Sequence, residues 1–251
     1  MNKIVLNNGC SDFKGFLENI DTYFSQNTKT IHKARNELKV INYNDTNTIV
    51  KSFKVPNIIN KIIYTFFRES KAKRSYEYSL RISKFVPKAI GYVSFYKNGL
   101  LNNSYFVSEK FEYTYTIREA LKKQLNKTEE EYNEIYQAFA KFTYELHEDN
   151  IFHDDYSPGN ILIRENANGL EFKIVDINRM SFNKLNETKR AQNFEKLWAL
   201  DEILEVMADE YTKFYQISDV EEFKRKVLYF SNKNKRIKNF KKRLKGKPVT
   251  D

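Results

Sequence analysis

The sequence predicts an α+β protein with two lobes, a small antiparallel β-rich first lobe and a mainly helical second lobe. Short β-prone segments dominate the first part of the chain, and helical spacings of apolar residues dominate the second part. Between them lies an unusual stretch, LHEDNIFHDDYSPGNIL at residues 146–162, which holds two of the three histidines and four acidic residues. We expect residues 1–111 to form the first lobe, residues 112–231 the second lobe, and residues 232–251 a basic tail.

Composition is typical of a folded protein without disulfides. A chain of 251 residues can bury a core in one large domain or in two lobes, and 41% hydrophobic residues argue against disorder. The single cysteine, Cys10, cannot form an intramolecular disulfide. No apolar run approaches the length of about 20 residues that spans a membrane, and the N-terminus lacks the apolar segment of a signal peptide. We therefore expect a cytoplasmic protein.

The net charge of +10 lies mostly in the predicted tail. Residues 232–251 carry nine Lys or Arg residues and one acidic residue, a net +8 that leaves the rest of the chain nearly neutral. If the tail is helical, Ile237, Phe240 and Leu244 share one side of it. This pattern favours peripheral contact with anionic lipid at the cytoplasmic face of the inner membrane. Nucleic acid is a less favoured partner, and a solubilising tail is the third interpretation.

The first lobe is predicted to begin with a helix over residues 11–24, where apolar residues recur at helical spacing. Three antiparallel strands follow in KTIHK, ELKVINY and TIVKSFK, separated by turn residues. Pro56 ends the third strand, and one long or broken helix is predicted over residues 57–85. A β-hairpin with its turn at Lys97-Asn98-Gly99 completes this lobe.

The second lobe is predicted to be helical around the unusual stretch. Helices are expected over residues 117–125 and 128–147, before the stretch. A strand pair is expected at NILIRE and EFKIVDI, directly after it. Two further helices are expected over residues 187–217 and 218–230.

The first half of the helix predicted over residues 57–85 carries an apolar stripe of Ile58, Ile62, Ile63, Phe66 and Phe67. Four basic residues follow it within the next seven positions. We expect most of the stripe to pack into the first lobe. The alternative is that a basic helix with an apolar face lies on a membrane surface.

The stretch at 146–162 has a spacing suited to phosphoryl transfer, His153-x-Asp155-x-x-x-x-Asn160, with Asp176 sixteen residues after Asn160. An Asp in a tight loop can orient an attacking hydroxyl group and accept its proton. Asn160 and Asp176 offer the oxygen ligands that Mg²⁺ prefers, and transfer from ATP requires mainly positioning and charge neutralisation. An acidic surface loop with structural histidines is the alternative.

The segment LHEDNIFHDDYSPGNILI resembles the L-H-x-x-x-I-x-H-x-D-x-x-x-x-N-I-L pattern that protein kinases share with small-molecule kinases. The resemblance implies a protein-kinase-like fold with ATP and Mg²⁺ as cofactors. It implies that Asp155 is the catalytic base and that Asn160 and Asp176 bind metal. We expect His147 and His153 to be structural. Asn178 stands where the D-F-G motif has Gly, and Asn tolerates the positive φ expected there.

The same resemblance predicts nucleotide contacts in the first lobe. Lys51, preferred over Lys54, matches the phosphate-binding Lys of the third strand, and Glu77, preferred over Glu69, matches its partner on the next helix. In YFVSEKFEY, backbone groups of Glu109 and Phe111 would contact adenine.

Several departures from protein kinases bear on the acceptor. The expected Gly-rich loop is replaced by Ala34-Arg35-Asn36-Glu37, so Arg35 or backbone amides would contact the phosphates. Only about a dozen residues separate Asp176 from the next predicted helix, which leaves no room for a peptide-docking segment. The acceptor is therefore expected not to be a protein.

The sequence is similar to the bacterial lipopolysaccharide core sugar kinases, which phosphorylate Kdo or heptose. The similarity lies in the catalytic loop, in VDINRM and in VKSFKVPNIINKIIYTFFRESKAKRSYE, and it spans roughly residues 30–200. It implies a lipopolysaccharide core or related anionic glycolipid as the partner. Arg179 would reach the anionic groups of this acceptor.

Three alternatives remain at this point. An aminoglycoside or choline phosphotransferase shares the loop, but such enzymes usually present an acidic acceptor pocket. A pseudokinase scaffold would have lost the base or a metal ligand, and all three residues are present. An atypical protein kinase would need a peptide acceptor. The sequence leaves open the sugar, the hydroxyl group and the oligomeric state.

Overall fold

The computed structural model describes residues 2–28, 30–33, 36–54, 57–217 and 219–249. The chain divides into two compact units, Met1–Glu112 and Tyr113–Asp251. The first unit contains an antiparallel sheet and the second is mainly helical, so the predicted α+β class, with a β-rich first part and a mainly helical second part, is confirmed. Arg35 and Pro56 lie outside the described residues.

The first unit is built around a six-stranded antiparallel sheet. Its strands are β1 (Lys3–Leu6), β2 (Thr30–Lys33), β3 (Asn36–Tyr43), β4 (Thr46–Lys54), β5 (Ala89–Lys97) and β6 (Leu100–Glu109). Their order in the sheet is β1-β5-β6-β4-β3-β2. The β5–β6 hairpin turns at Asn98 and Gly99, whose φ angles of 52° and 76° are those of a type I′ turn.

The helices of the first unit are shorter than the sequence predicted. They are α1 (Lys14–Glu18), α2 (Ile20–Gln26), α3 (Ile58–Ile62) and α4 (Lys71–Arg81), and a π-helical turn (Ile63–Phe67) follows α3. The N-terminal helix is broken at Asn19. The helix predicted over residues 57–85 is broken at Arg68, which is extended, and α4 starts afresh from Ser70, whose side chain accepts a hydrogen bond from the Lys73 amide.

Helices cover both faces of this sheet. On one face, α1 and α2 pack with strand residues into a core of Phe16, Leu17, Ile20, Phe24, Ile41, Val50, Ile90, Val93, Tyr105 and Val107. On the other face, Ala72 and Tyr76 of α4 pack against Phe53, Ala89 and Tyr92. Because successive strand residues point to opposite faces, Lys51 shares the α4 face with Phe53, and Val50 faces α1 and α2.

The apolar stripe of α3 and the π-helical turn does not pack into the first unit, and that expectation is wrong. Four of its five residues are exposed, at 63% for Ile58, 41% for Ile62, 69% for Phe66 and 79% for Phe67, whereas Ile63 is half-buried. The neighbouring Ile59 is 65% exposed. The side turned to the sheet is instead held by polar groups. Thr65 Oγ1 accepts a hydrogen bond from the Leu101 amide at 2.9 Å, and Lys61 Nζ donates to Asn102 Oδ1 at 3.2 Å.

The second unit combines short strands with longer helices. Its strands are β7 (Tyr115–Thr116), β8 (Phe152–His153), β9 (Ile161–Asn166), β10 (Gly169–Ile174) and β11 (Met180–Ser181). Its helices are α5 (Ile117–Leu121), α6 (Glu129–Glu148), α7 (Glu187–Gln192), α8 (Asp201–Phe214) and α9 (Val220–Arg243). The strands form a three-stranded sheet, β10-β9-β7, and a two-stranded pair, β11-β8.

Local sequence explains where these helices begin and end. Thr128 and Glu131 form a capping box that starts α6, close to the predicted position. The single helix predicted over residues 187–217 is divided, because Trp198 between α7 and α8 has a φ of 57° that no α-helix contains. By contrast, α9 continues to Arg243, so the first half of the predicted basic tail belongs to a long helix. None of the described helices combines the length and the apolar composition needed to cross a bilayer.

The contact between β1, β5 and α1 requires a glycine at position 91, which gives a stability prediction. A Cβ atom on Gly91 would overlap the Val5 carbonyl oxygen and lie 2.7 Å from Leu17 Cδ2. We expect Gly91→Ala to lower the free energy of unfolding by about 1–3 kcal/mol, as overpacking of cores does. Urea unfolding followed by circular dichroism measures the change.

Gly15→Ala is the matched control for this substitution. Its Cβ would meet only the Tyr43 hydroxyl group, at 3.5 Å, and Ala favours the α1 helix in which Gly15 lies. Equal stability of the Gly91→Ala and Gly15→Ala variants would show that β1 and α1 do not approach β5 as closely as described.

Candidate active site

The loop from His153 to Asn160 is held at its start by a short strand pair. In β8 and β11, His153 pairs with Met180 and Phe152 with Ser181. The Asp154 amide donates to the Arg179 carbonyl at 2.8 Å, and Lys196 Nζ donates to the Asp154 carbonyl. The start of the loop is therefore tied to the segment that follows Asp176.

Asp155 is positioned by hydrogen bonds to its backbone. Its amide donates to Nδ1 of His153 at 3.0 Å, and its carbonyl accepts from the Ser157 amide at 2.7 Å and from Nδ2 of Asn160 at 3.0 Å. The Asp155 side chain is 32% exposed, and its Oδ2 accepts from Arg179 at 3.2 Å. The carboxylate thus lies at the surface of a loop whose backbone is restrained.

His153 is neutral in the folded protein. Burial lowers the pKa of its imidazole to about 4, and the nearby Val175 carbonyl and the Asp155 and Asp176 carboxylates only partly oppose this effect. Since Nδ1 accepts a hydrogen bond from the Asp155 amide, the proton of the neutral ring lies on Nε2. As expected, this histidine braces the loop.

A buried polar network lies beneath the loop. His147 Nδ1 contacts the Tyr211 hydroxyl at 2.8 Å, and His147 Nε2 contacts Asn193 Oδ1 at 3.0 Å. Asn193 Nδ2 then donates to the His153 carbonyl at 3.0 Å. Burial lowers the pKa of His147 to about 3, so this ring is neutral as well. Asn193 therefore links α6 to the loop that begins at His153.

The donors and acceptors of this network have one consistent direction. Arg190 donates to the Tyr211 oxygen at 3.0 Å, so the Tyr211 hydroxyl donates to His147 Nδ1. The neutral His147 then carries its proton on Nε2 and donates it to Asn193 Oδ1. The sequence reasoning did not identify Asn193, because an Asn in a predicted helix carries no signal for a loop contact forty residues away.

Asn160 and Asp176 are brought close by a backbone hydrogen bond. The Val175 amide donates to the Asn160 carbonyl at 2.9 Å, which places Asp176 one residue beyond this contact. Asp176 is exposed and has a φ of 57°. The positive φ expected at Asn178 therefore falls on Asp176 instead, and that expectation is wrong.

The donor set at Asn160 and Asp176 fits a magnesium ion. Among the described residues, no group of three or more His, Cys, Asp or Glu side chains could hold a metal ion. Mg²⁺ in phosphotransferases is usually bound by one or two protein oxygens, water and substrate phosphates, so two side chains suffice. Asn160 Nδ2 is engaged by the Asp155 carbonyl, which turns Oδ1 of the same amide away from that carbonyl.

Two of the nucleotide-contact residues predicted in the first unit, Lys51 and Glu77, lie on β4 and α4. Lys51 is 9% exposed on β4, opposite Leu38 of β3 and Phe106 of β6. Glu77 of α4 is exposed and pairs with Lys73, one turn earlier, at 3.4 Å. A pairing of Lys51 with Glu77 stays a prediction.

Of the two predicted hinge residues, Glu109 ends β6 and Phe111 follows it. The Glu109 amide donates to the Lys88 carbonyl at 2.9 Å. Phe111 is 9% exposed. The contacts predicted for both residues stay predictions, and Arg35 lies outside the described residues.

A separate cavity of about 350 Å³ lies in the first unit. It is lined by residues of the π-helical turn, the start of α4 and β5, among them Arg68, Ser70 and Tyr92. Lys51 and Glu77 are not part of its lining. This cavity is therefore not the predicted nucleotide site.

Comparison with solved structures shows the fold. The chain matches a structure described as WaaP in complex with acyl carrier protein, with a TM-score of 0.62 and 12% identity, over 93% of this chain and 98% of that one. At this identity the likeness shows the fold alone, and it confirms the predicted protein-kinase-like fold. No curated protein matches the sequence.

The family follows from the sequence itself. Residues 34–226, well over half of the chain, match the Lipopolysaccharide kinase (Kdo/WaaP) family. The chain belongs to this family, and it is a kinase. The family recognised from the loop, from VDINRM and from the segment at residues 50–77 is thereby confirmed.

The two neutral histidines predict that the folded state loses stability on mild acidification. An unfolded His protonates near pH 6.5, whereas His147 and His153 have folded pKa values of about 3 and 4. Below pH 6.5 the unfolded chain binds more protons, so their contribution to stability is present above that pH and lost as the pH falls toward 4. We expect the free energy of unfolding to decrease by on the order of 2–4 kcal/mol between pH 7 and pH 5.

Urea unfolding at the two pH values measures this loss, and NMR of isotope-labelled histidine checks its cause. Two of the three imidazoles should remain neutral at pH 5 in the folded protein. If all three rings titrate near pH 6.5, the buried neutral network described here is wrong.

Proposed function

We propose that this kinase transfers the γ-phosphate of ATP, with Mg²⁺, to a hydroxyl group of a Kdo or heptose sugar in the lipopolysaccharide core. The arrangement of Asp155, Asn160 and Asp176 carries the proposal. The backbone of the loop is restrained by His153 and Asn160, and Val175 bonds to Asn160 next to Asp176. Membership of the lipopolysaccharide kinase family supports the class of acceptor.

Asp155 is the proposed catalytic base. Arg179 contacts Oδ2, so Oδ1 is assigned to the acceptor hydroxyl group. The hydroxyl oxygen forms a bond to the γ-phosphorus while the bond from that phosphorus to the β–γ bridging oxygen breaks. The hydroxyl proton passes to Asp155, and the products are ADP and the sugar phosphate.

Arg179 has a role on the acceptor side in this proposal. Its side chain is 66% exposed while it contacts Asp155, so it can also meet solvent-borne anionic groups. Carboxylate and phosphate groups of a core sugar suit a guanidinium, which presents several donors in one plane. Arg179 would therefore orient the acceptor beside the base.

Asn160 and Asp176 would hold Mg²⁺ through Oδ1 and the carboxylate. The ion, when bound, neutralises phosphate charge and orients the transferred group. Lys51 would contact the α- and β-phosphates, and Glu77 would position Lys51. Adenine would meet backbone groups of Glu109 and Phe111. A phosphate contact by Arg35 belongs to the same proposal.

The basic end of α9 is the proposed contact with the inner membrane at its cytoplasmic face. Its exposed apolar side chains share one side of the helix: Tyr229 at 58%, Ile237 at 45%, Phe240 at 62% and Leu244 at 71%. Lys and Arg residues surround them, and each such charge near anionic lipid contributes about 1 kcal/mol. This contact would bring the kinase to a glycolipid acceptor.

The first test is transfer of label from γ-labelled ATP to purified core glycolipids, aminoglycosides and a generic protein. We expect label on a glycolipid only. Asp155→Asn should lower kcat by about 10²–10⁴-fold, the usual contribution of a general base. Asp154→Asn is the matched control, because Asp154 is exposed and its contacts to Arg179 and Lys196 use backbone atoms.

Other outcomes of this assay assign another function. Label on aminoglycosides alone would replace the proposed acceptor with a cationic sugar, and label on protein alone would make the chain a protein kinase. Equal losses in the Asp154→Asn and Asp155→Asn variants would remove the assignment of Asp155 as the base.

The metal assignment predicts a changed magnesium requirement. Asp176→Asn removes a carboxylate ligand, so the Mg²⁺ concentration for half-maximal rate should rise by about 10–100-fold. Binding of Mn²⁺ to the ATP complex, followed by electron paramagnetic resonance, should weaken in parallel. Asp149→Asn, at the exposed end of α6, should change neither quantity. An unchanged Mn²⁺ affinity in Asp176→Asn would place the metal elsewhere.

A further inference from the structure

Exposed apolar side chains are concentrated in one short segment of the first unit. Five of the fourteen large hydrophobic residues that are exposed on the described chain lie within ten consecutive positions. We name these five residues the apolar patch: Ile58, Ile59, Ile62, Phe66 and Phe67. Scattered exposed hydrophobic residues are ordinary, whereas a contiguous patch marks a surface that contacts a partner.

The segment that carries the apolar patch exposes its apolar side to solvent, which is the reverse of an ordinary surface helix. A surface helix usually buries its apolar side and exposes its polar side. Here Thr65 and Lys61 bond to β6 residues, Thr65 at 2.9 Å from the Leu101 amide and Lys61 at 3.2 Å from Asn102. Neither α3 nor the π-helical turn buries a residue fully. The sheet therefore anchors the polar side and presents the apolar side outward.

The π-helical turn itself helps to expose the apolar patch. Arg68 follows it directly, and the Arg68 amide donates to the Ile63 carbonyl at 2.8 Å. The bond spans five residues, one more than in an α-helix. Such turns are rare and occur mostly where a protein functions. Phe66 and Phe67, at its end, are the two most exposed members of the apolar patch.

The charge around the apolar patch indicates an anionic partner. Residues 54–74 contain six basic residues and one acidic residue, a net charge of +5. The basic residues are Lys54, Lys61, Arg68, Lys71, Lys73 and Arg74. The single acidic residue, Glu69, pairs with Lys73 at 2.5 Å, so the remaining charge is cationic. Apolar side chains with Lys and Arg beside them are typical of a segment that lies in a membrane interface.

We propose that the apolar patch inserts into the interfacial region of an anionic lipid bilayer while the neighbouring Lys and Arg residues contact lipid phosphates. The proposal deepens the proposed function, on which it rests, because a glycolipid acceptor is reached at a bilayer. It adds a membrane contact on the first unit to the one proposed for the end of α9. Its test uses neither ATP nor an acceptor, so its failure is distinct from a failure of the proposed function.

The test places an environment-sensitive nitrobenzoxadiazole label in the apolar patch of the full chain. Phe66→Cys provides the attachment point, and the natural Cys10 is only 2% exposed and should not react. Vesicles of phosphatidylethanolamine with phosphatidylglycerol should shift the label's emission to the blue, and lipids with a quencher in the acyl chain should quench it. Vesicles of phosphatidylcholine alone should give a much smaller shift, because they lack net negative charge.

Vesicle sedimentation of unlabelled variants measures the contribution to binding. Phe66→Ser combined with Phe67→Ser should lower the partition coefficient on the anionic vesicles roughly tenfold or more, since two large apolar side chains no longer enter the interface. Ile31→Ser combined with Leu200→Ser is the matched control, because each residue is 55% exposed and lies outside the apolar patch. All of these side chains are exposed, so the substitutions should not affect folding. Circular dichroism of each variant checks that it is folded.

Phe240→Ser combined with Leu244→Ser separates the α9 contact from the apolar patch. In this double variant, anionic vesicles should still shift the emission of the label on Phe66→Cys to the blue. An unshifted label on vesicles that bind the protein would overturn the proposal, and so would a Phe66→Ser, Phe67→Ser variant that binds like the control. The emission of the label could also shift to the blue with rising protein concentration in the absence of vesicles. If sedimentation velocity then shows dimers, the apolar patch binds a second copy of the chain instead.

Discussion

The side-chain amide of Asn193 makes the hydrogen bonds on which the position of the loop from His153 to Asn160 depends. Its oxygen accepts from His147, and its nitrogen donates to the His153 carbonyl. Asn193 is 4% exposed and both histidines are buried, so any partner lost here would leave a polar group unpaired in the interior. Neutral histidine rings meet this requirement without the cost of burying an ion that lacks a partner. The buried cation Arg190, which donates to Tyr211, is itself paired with Glu148 at 2.8 Å.

The exposure of the side chains in and beside this loop increases from His153 to Asp176. His153 is buried, Asp155 and Asn160 are half-buried, and Asp176 is exposed. Restraint is therefore strongest in the backbone, where His153 and Asn160 bond to Asp155, and weakest at the carboxylates. Phosphoryl transfer depends on positioned groups that a nucleotide and an acceptor can reach, and this gradient provides both.

The first unit shows how an amphipathic pattern alone can mislead. Helices α1, α2 and α4 occupy the two faces of the sheet, and their buried residues complete both cores. The apolar stripe of α3 has the same period as a core-facing helix, so the sequence predicted burial. Which side of a helix meets a sheet is decided by all of its contacts, and here the hydrogen bonds of Thr65 and Lys61 turn the apolar side outward.

Local signals in the sequence were sufficient to predict the fold class and the family, and they also drew attention to the loop from His153 to Asn160. The spacing of His153, Asp155 and Asn160, the Asn98-Gly99 turn and the Thr128 cap each act within a few residues, so they can be recognised without coordinates. The break at Trp198, the positive φ at Asp176 and the role of Asn193 could not be recognised in this way. Each depends on segments that are distant in sequence, and packing selects one backbone conformation or hydrogen-bond partner among several that local sequence permits.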